Sequence, residues 1–375
     1  MLLTAFQQVT TRVDYKLALL RCFFSSLLCP SGSTNDRFKL PTQLRNSEAA
    51  QIVKIHFWIP HPTAGSLQIV SSLEPFFLGL VTDGFDIEVS TDMPTDPVDI
   101  LIAFKSVPMN YAAKRTVLLV CDQLELFWDV LLQFDEVMVT SSRELCHLAR
   151  MKHSEVSFIP EFEPPQNIAC GRARLLTCDA PRNKVFWHGG HYSFNELEPY
   201  LPIIESLIDD GDCDGLVIVS GEQAETTYDL GTIPVWHLPW SYANLSRASS
   251  ECRLALLPAR RKLKHSFLKP ASRVRCAFSL GIYALGDGRT PEVRRFASKV
   301  GAKVLTGNLQ SDAEMIRSCW YNASLMDTVE KAISEIEMNH SQVAIESMWL
   351  DWFERTARKL QTEKRELSSC GDSET

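Results

Sequence analysis

The chain has none of the glycine signatures that mark the commonest nucleotide enzymes: no G-x-G-x-x-G follows an apolar run, and neither G-x-x-x-x-G-K-[ST] nor G-x-S-x-G occurs. Each of those turns lets a backbone reach phosphate or exposes a nucleophile, so a dehydrogenase, a P-loop NTPase and an α/β-hydrolase all lack their fingerprints. Paired cysteines are missing too. The 11 cysteines are an odd, scattered set with no C-x-x-C and no Cys/His spacing of a zinc module, and they read as buried thiols of a reducing compartment. No run reaches the roughly 18 to 20 consecutive apolar residues of a spanning helix. Residues 17–29 come closest, but Arg21, Ser25 and Ser26 interrupt them. That run lies behind a mixed polar start, so a membrane-surface contact or an extension is expected there in place of a cleaved signal. Excess basic charge is absent as well: 38 Lys and Arg stand against 46 Asp and Glu, a net charge of -8. This argues against a general nucleic-acid coat protein, and any anion site has to be local.

What is present is 375 residues, 45% hydrophobic and 22% charged, with a mean hydropathy of -0.07. That is the composition of a globular chain of about two domains. Residues 1–50 show no clean period and read as an extension of uncertain order. The run 52–60 (IVKIHFWIP) is continuously apolar, as a strand buried on both faces of a parallel sheet requires. A turn follows at 61–66, with Ser66 placed to cap a helix from Leu67 to near Gly84. Short strands are then expected at 85–90, 98–104, 116–122, 136–141 and 156–160, with a helix from about Ser142. The pattern lapses over 161–183, which carries three prolines and is expected to be a linker.

A second cycle starts at 184–190 (KVFWHGG), after which Ser193 and Glu196 have the spacing of a capping box for a helix through about Ile208. Strands at 216–221, 235–240, 253–259, 282–287 and 302–307 alternate with helices capped by Ser241, opened near Pro270 and opened at Thr290 and Pro291. Long helices are expected over about 311–336 and 341–360, before a polar tail. Strands alternating with helices predict an α/β fold of two Rossmann-like domains, 51–160 and 184–340, with 341–375 as a C-terminal helix and tail.

In such sheets ligands bind beyond the carboxyl ends of the strands, which singles out the loops there. The strongest signal is electrostatic. Between Glu251 and Asp287 there is no acidic residue, while Arg253, Arg260, Arg261, Lys262, Lys264, Lys269, Arg273 and Arg275 all fall inside that window. Lys269 and Arg273 are four apart on one helix face, where cations and a helix start together suit a diphosphate; a solvated basic loop is the plainer alternative. Gly189, Gly190 and His191, with His188 before them, form a turn that admits a ligand to the backbone, or simply a tight turn. His61 with Gly65 is the corresponding place in the first domain. Asp122 and Glu125 are candidate carboxylates after the strand at 116–122, and Asp287 and Glu292 either accept hydroxyl hydrogen bonds or serve a helix start. The D-x-D at 212–214 lies at the wrong sheet edge for a metal nucleotide and reads as a turn.

The segments KVFWHGGHYSFNELEPYLPIIESL, LVIVSG, VWHLPWSYANLSRASSECRLALLPA and KPASRVRCAFSLGIYALGDGRTPEVRRFA resemble, in that order, the donor-binding domain of GT-B glycosyltransferases of the GT4-like group. The resemblance implies two Rossmann-like domains facing across a cleft, and transfer of a sugar from a nucleoside diphosphate sugar without a bound metal or a tightly held cofactor. Lys269 and Arg273 would hold the diphosphate, Gly189, Gly190 and His191 would face it, and Asp287 and Glu292 would lie on the donor side; His61 and Asp122 join the two cations as catalytic candidates. The group's E-x7-E pair would fall at Leu268 and Cys276, neither of them acidic. The expected partners are a nucleotide sugar and a glycan or lipid acceptor, not nucleic acid, in cytoplasmic assembly of a surface polysaccharide or glycoconjugate, with peripheral contact at the inner face of a membrane. A catalytically silent binding subunit of this fold, or a sugar-nucleotide epimerase, are the alternatives.

Overall fold

Two six-stranded sheets, parallel throughout, carry the structure. The computed structural model describes residues 52–60, 76–77, 80, 84–108, 111, 113–121, 124–177, 182–221, 230–259 and 267–371. The extension at 1–50, the turn holding His61 and Gly65, most of the helix expected after it, Asp122 and the basic run 260–266 lie outside them. The described residues group into two compact units: those up to Pro160 with those from Glu346 onward, and Glu161–Ile345.

The first unit holds β1 (Val53–Trp58), β2 (Phe85–Ser90), β3 (Ile100–Phe104), β4 (Arg115–Val120), β5 (Glu136–Val139) and β6 (Val156–Phe158), ordered β2-β1-β3-β4-β5-β6. Every residue of β3 is buried, as the sequence ILIAF demands of a central strand covered on both faces. Helix α1 (Arg143–Arg150) starts where expected, with the Ser142 hydroxyl accepting from the Leu145 N–H at 3.1 Å.

The second unit holds β7 (Lys184–Gly189), β8 (Gly215–Ser220), β9 (Val235–Pro239), β10 (Cys252–Leu257), β11 (Tyr283–Asp287) and β12 (Val304–Leu305), ordered β12-β11-β10-β7-β8-β9. Its helices are α2 (Pro165–Leu176), α3 (Leu201–Asp209), α4 (Tyr242–Glu251), α5 (Ser272–Ser279), α6 (Pro291–Val300), α7 (Leu309–Trp320) and α8 (Leu325–Asn339). Ser241 caps α4 at 3.1 Å, and Gly281, at φ +77°, supplies the left-handed residue after α5. Residues 212–214 form a turn as expected, with the Asp212 carboxylate accepting from the Tyr321 hydroxyl.

Helix α9 (Gln342–Gly371) runs on through most of the expected polar tail and gives its aromatic face to the first unit. Trp349 meets Phe57 at 5.7 Å between ring centroids, and Phe353 meets Phe85 at the same distance. The buried indole N–H of Trp352 donates to Glu136 at 2.8 Å, and the Glu136 carboxylate also pairs with Arg115 at 3.2 Å.

Three local expectations fail for identifiable reasons. The segment 161–183 contains a helix, α2, whose inward positions are Asn167, Ile168, Gly171 and Arg174, too few of them apolar to show as a hydrophobic period. Arg174 satisfies itself by donating to the carbonyls of Ser249 and Cys252. The helix expected over 311–336 is two helices, since Asn322 accepts from the Ser324 N–H and hydroxyl, both at 2.9 Å, and turns the chain between them. Ser193 and Glu196 form no capping box. The chain there makes 3-10 turns at His191–Glu196 and Glu198–Tyr200, with prolines in the first turns of the short helices that follow, and Glu196 is drawn to cations instead.

At Gly171 helix propensity and packing oppose each other. Alanine in a helix interior gains about 1 kcal/mol over glycine, yet a Cβ here would lie 2.2 Å from the Ser279 carbonyl oxygen and 2.9 Å from the Gly281 nitrogen, both backbone atoms. Gly171→Ala is therefore expected to lower stability by about 2 to 3 kcal/mol, read as a fall in Tm; a variant as stable as the parent would contradict this packing.

Candidate functional site

Counted within its own unit, the second sheet has the order 3-2-1-4-5-6, so the connections leaving β7 and β10 diverge and open a crevice beyond their carboxyl ends. Helix α5 follows β10 and brings Arg273 to this edge; Lys269 lies three residues before the helix, ahead of Pro270, so the two cations do not share a helix face as expected and meet instead at Glu196.

Arg273 is held there from several sides. Its Nε–H donates to the His188 carbonyl at 2.9 Å, while the His188 Nε2–H donates back to the Arg273 carbonyl at 3.0 Å, a reciprocal exchange that locks the end of β7 to the first turn of α5. A carbonyl only accepts, so His188 carries its proton on Nε2. Arg273 Nη1 lies 3.2 Å from Glu196 Oε2, and the guanidinium stands over the Trp187 ring, 5.3 Å from its centroid. Lys269 Nζ is 3.8 Å from the other Glu196 oxygen. The Glu196 side chain has no exposed surface, whereas Arg273 and Lys269 keep 27% and 42% of theirs. The carboxylate thus lies beneath and the cations face outward.

Gly189 explains itself by close approach: a Cβ would stand 3.3 Å from both Cζ and Nη2 of Arg273. Gly190 carries the chain into the next turn, accepting from the Ser193 N–H at 2.8 Å, and His191 opens that turn. His188 faces inward instead of toward a ligand. It is buried and stacked 5.3 Å from Phe186, and burial together with the Arg273 charge pushes its pKa down to about 3, which removes it from proton transfer near neutrality.

The other candidates separate. The Asp287 carboxylate is buried and engaged within the fold, accepting from the Arg289 N–H at 2.8 Å and the Ala259 N–H at 3.2 Å, so it ties the loops after β10 and β11. Glu292 is in the first turn of α6 and pairs with Arg295 at 2.8 Å. Of the basic run, Arg253 donates to the Trp320 carbonyl at 2.6 Å, and the Arg275 Nε lies 3.4 Å from Glu163, both side chains buried. Glu125 is in the 3-10 turn Leu124–Leu126 of the first unit. Sequence reasoning missed Glu196 as a site residue, because its spacing from Ser193 offered a helix-capping explanation, and it passed over Trp187 as an ordinary strand residue. Among the described residues no group of three or more His, Cys, Asp or Glu side chains could hold a metal, and no helix is long and apolar enough to cross a membrane.

A fold that keeps His188 neutral binds fewer protons than the unfolded chain between about pH 3 and 6.5, so its contribution is lost as pH falls through that window. His188→Gln keeps an N–H donor for the Arg273 carbonyl and removes the titration. The loss of unfolding free energy from pH 7 to pH 5 is expected to be about 2 kcal/mol smaller in this variant than in the parent. Denaturant melts at the two pH values check this; equal losses would contradict it.

No protein-family model matches the chain, and no curated protein matches it in sequence. Solved structures do share its fold. A glycosyltransferase from Rickettsia africae superposes with a TM-score of 0.55 at 11% identity, over 81% of this chain and 98% of that one. AviGT4, a glycosyltransferase of avilamycin A biosynthesis, does so at 0.53 and 15%, over 82% and 98%. HepE of Anabaena, solved in complex with UDP-glucose, gives 0.52 and 15%, over 82% and 99%. The likeness is one of fold: two Rossmann-like α/β units, as in the GT-B glycosyltransferases.

Proposed function

We propose that this chain transfers a sugar from a nucleoside diphosphate sugar, with the diphosphate seated on Lys269 and Arg273. The observation that carries the reading is the arrangement of these two cations over the buried Glu196 carboxylate, at the crevice between β7 and β10. Similarity of fold to a structure solved with UDP-glucose supports a nucleotide-sugar donor.

The chemistry follows from charge. As the bond from the sugar's anomeric carbon to the diphosphate oxygen breaks, negative charge grows on the leaving group. Fixed cations stabilise that charge without rearranging, and removing one such preorganised group typically costs about 3 to 4 kcal/mol of barrier. The ties to His188, Glu196 and Trp187 hold the guanidinium in place before the donor arrives, so little ordering remains to be done on binding.

On this reading Gly190 and His191 face the phosphates and Glu292 the donor's hydroxyls. Asp287 acts by holding the neighbouring loops. His61 and Asp122, which follow β1 and β4 in the sequence, are the proposed acceptor-side groups. The acceptor is a glycan or lipid of a surface polysaccharide or related glycoconjugate, built on the cytoplasmic side of a membrane.

A thermal-shift titration with UDP, GDP, ADP and CMP, with and without Mg²⁺, tests the donor site, because a ligand that binds only the native state raises Tm by mass action. One diphosphate is expected to raise Tm independently of metal, and the Lys269→Ala/Arg273→Ala double variant to lose the shift. No shift with any nucleotide would overturn the reading. A retained shift with neither sugar transfer nor donor hydrolysis would select a silent binding subunit, the alternative favoured by Leu268 and Cys276 at the acidic-pair positions.

A further inference from the structure

We propose that the first unit carries a phosphate subsite of its own at the carboxyl ends of β3, β4 and β5, built on Lys105, Thr140 and Ser141, and that it takes a phosphate group borne by the acceptor. Lys105 is the only non-glycine residue at positive φ among the described residues, at +49°. An L-residue is strained there and glycine is not, so the turn alone does not account for a lysine. Its position gives the reason. The first sheet runs β2-β1-β3-β4-β5-β6, so its connections diverge between β1 and β3, and Lys105 directly follows β3 at that edge. Its N–H donates to the Leu119 carbonyl at 3.0 Å, and its ammonium stands over the Phe104 ring, 5.6 Å from the centroid.

On the other side of β4 stands Thr140, whose N–H donates to the Val120 carbonyl at 3.0 Å. Lys105 and Thr140 therefore flank the end of β4, one strand spacing to each side and roughly 10 Å apart. A lysine arm and a phosphate together fill such a gap. Thr140 and Ser141 are 3% and 4% exposed, and neither hydroxyl has a hydrogen-bond partner. Buried hydroxyls rarely go unpaired, and the contrast with the next residue is direct, because the Ser142 hydroxyl is engaged in capping α1. An ammonium and two donor hydroxyls on one sheet edge offer what phosphate oxygens accept.

The acceptor role rests on the proposed glycosyl transfer, whereas binding of phosphate does not. Titration calorimetry of the full chain without nucleotide, using sn-glycerol 3-phosphate and glucuronate as probes, separates the two. Glycerol phosphate is expected to bind the parent, to lose about tenfold or more in affinity in Lys105→Gly and several-fold in Thr140→Val, and to bind Lys105→Arg nearly as well as the parent. Lys105→Gly relieves the strained turn, so its Tm is expected to rise and its response to UDP to stay unchanged, which separates a lost ligand from a lost fold. The Lys269→Ala/Arg273→Ala variant is expected to keep glycerol phosphate. Absence of binding to the parent, equal affinity in Lys105→Gly, or loss in the Lys269→Ala/Arg273→Ala variant would each overturn the subsite. Stronger binding of glucuronate would overturn its assignment to phosphate. If UDP fails to bind while glycerol phosphate binds as described, the subsite stands and the acceptor role falls.

Discussion

The second unit is organised around one buried carboxylate. Glu196 sits without exposed surface at the carboxyl edge of its sheet, and a charge in that position has to be compensated or the fold cannot hold it. Arg273 and Lys269 do so from above, and that requirement fixes where both cations stand. It also explains the neighbours. A Cβ on Gly189 would stand 3.3 Å from the guanidinium, and His188 is held neutral by its burial and by the Arg273 charge, against the pull of its hydrogen bond to the Arg273 carbonyl. Both cations keep exposed surface at the place where a doubly wound sheet receives ligands.

The first unit solves the burial of polar groups in the same manner. Glu136 is matched by Arg115 and by the Trp352 indole from the C-terminal helix, which closes the core over β5 and leaves no charge to spare. Thr140 and Ser141, at the carboxyl end of that strand, are among the buried polar groups left unmatched.

Much of this was legible in the residues. Strands such as ILIAF and GLVIVS announce themselves because a parallel strand covered on both faces has to be apolar throughout. Caps at Ser142 and Ser241 were readable from residue type and position. Helix α2 was not, since its buried face sets an asparagine, a glycine and an arginine beside the single large apolar residue Ile168. The acid-free window between Glu251 and Asp287 pointed to Lys269 and Arg273, yet charge density carries no direction, and Arg253 and Arg275 from the same window turn away to a carbonyl and to Glu163. Glu196 stayed hidden because three-residue spacing from a serine has a local explanation, whereas its real partners are more than 70 residues away in sequence.

The central claim is that Arg273 reads the terminal phosphate of a nucleoside diphosphate, and the most direct test is the ratio of affinities for UDP and UMP in the parent and in Arg273→Gln, by titration calorimetry. The account predicts that the parent prefers UDP by about tenfold or more and that the variant binds the two nearly alike, its affinity for UMP close to the parent's. An unchanged preference for UDP in Arg273→Gln, or an equal loss of both nucleotides, would contradict it.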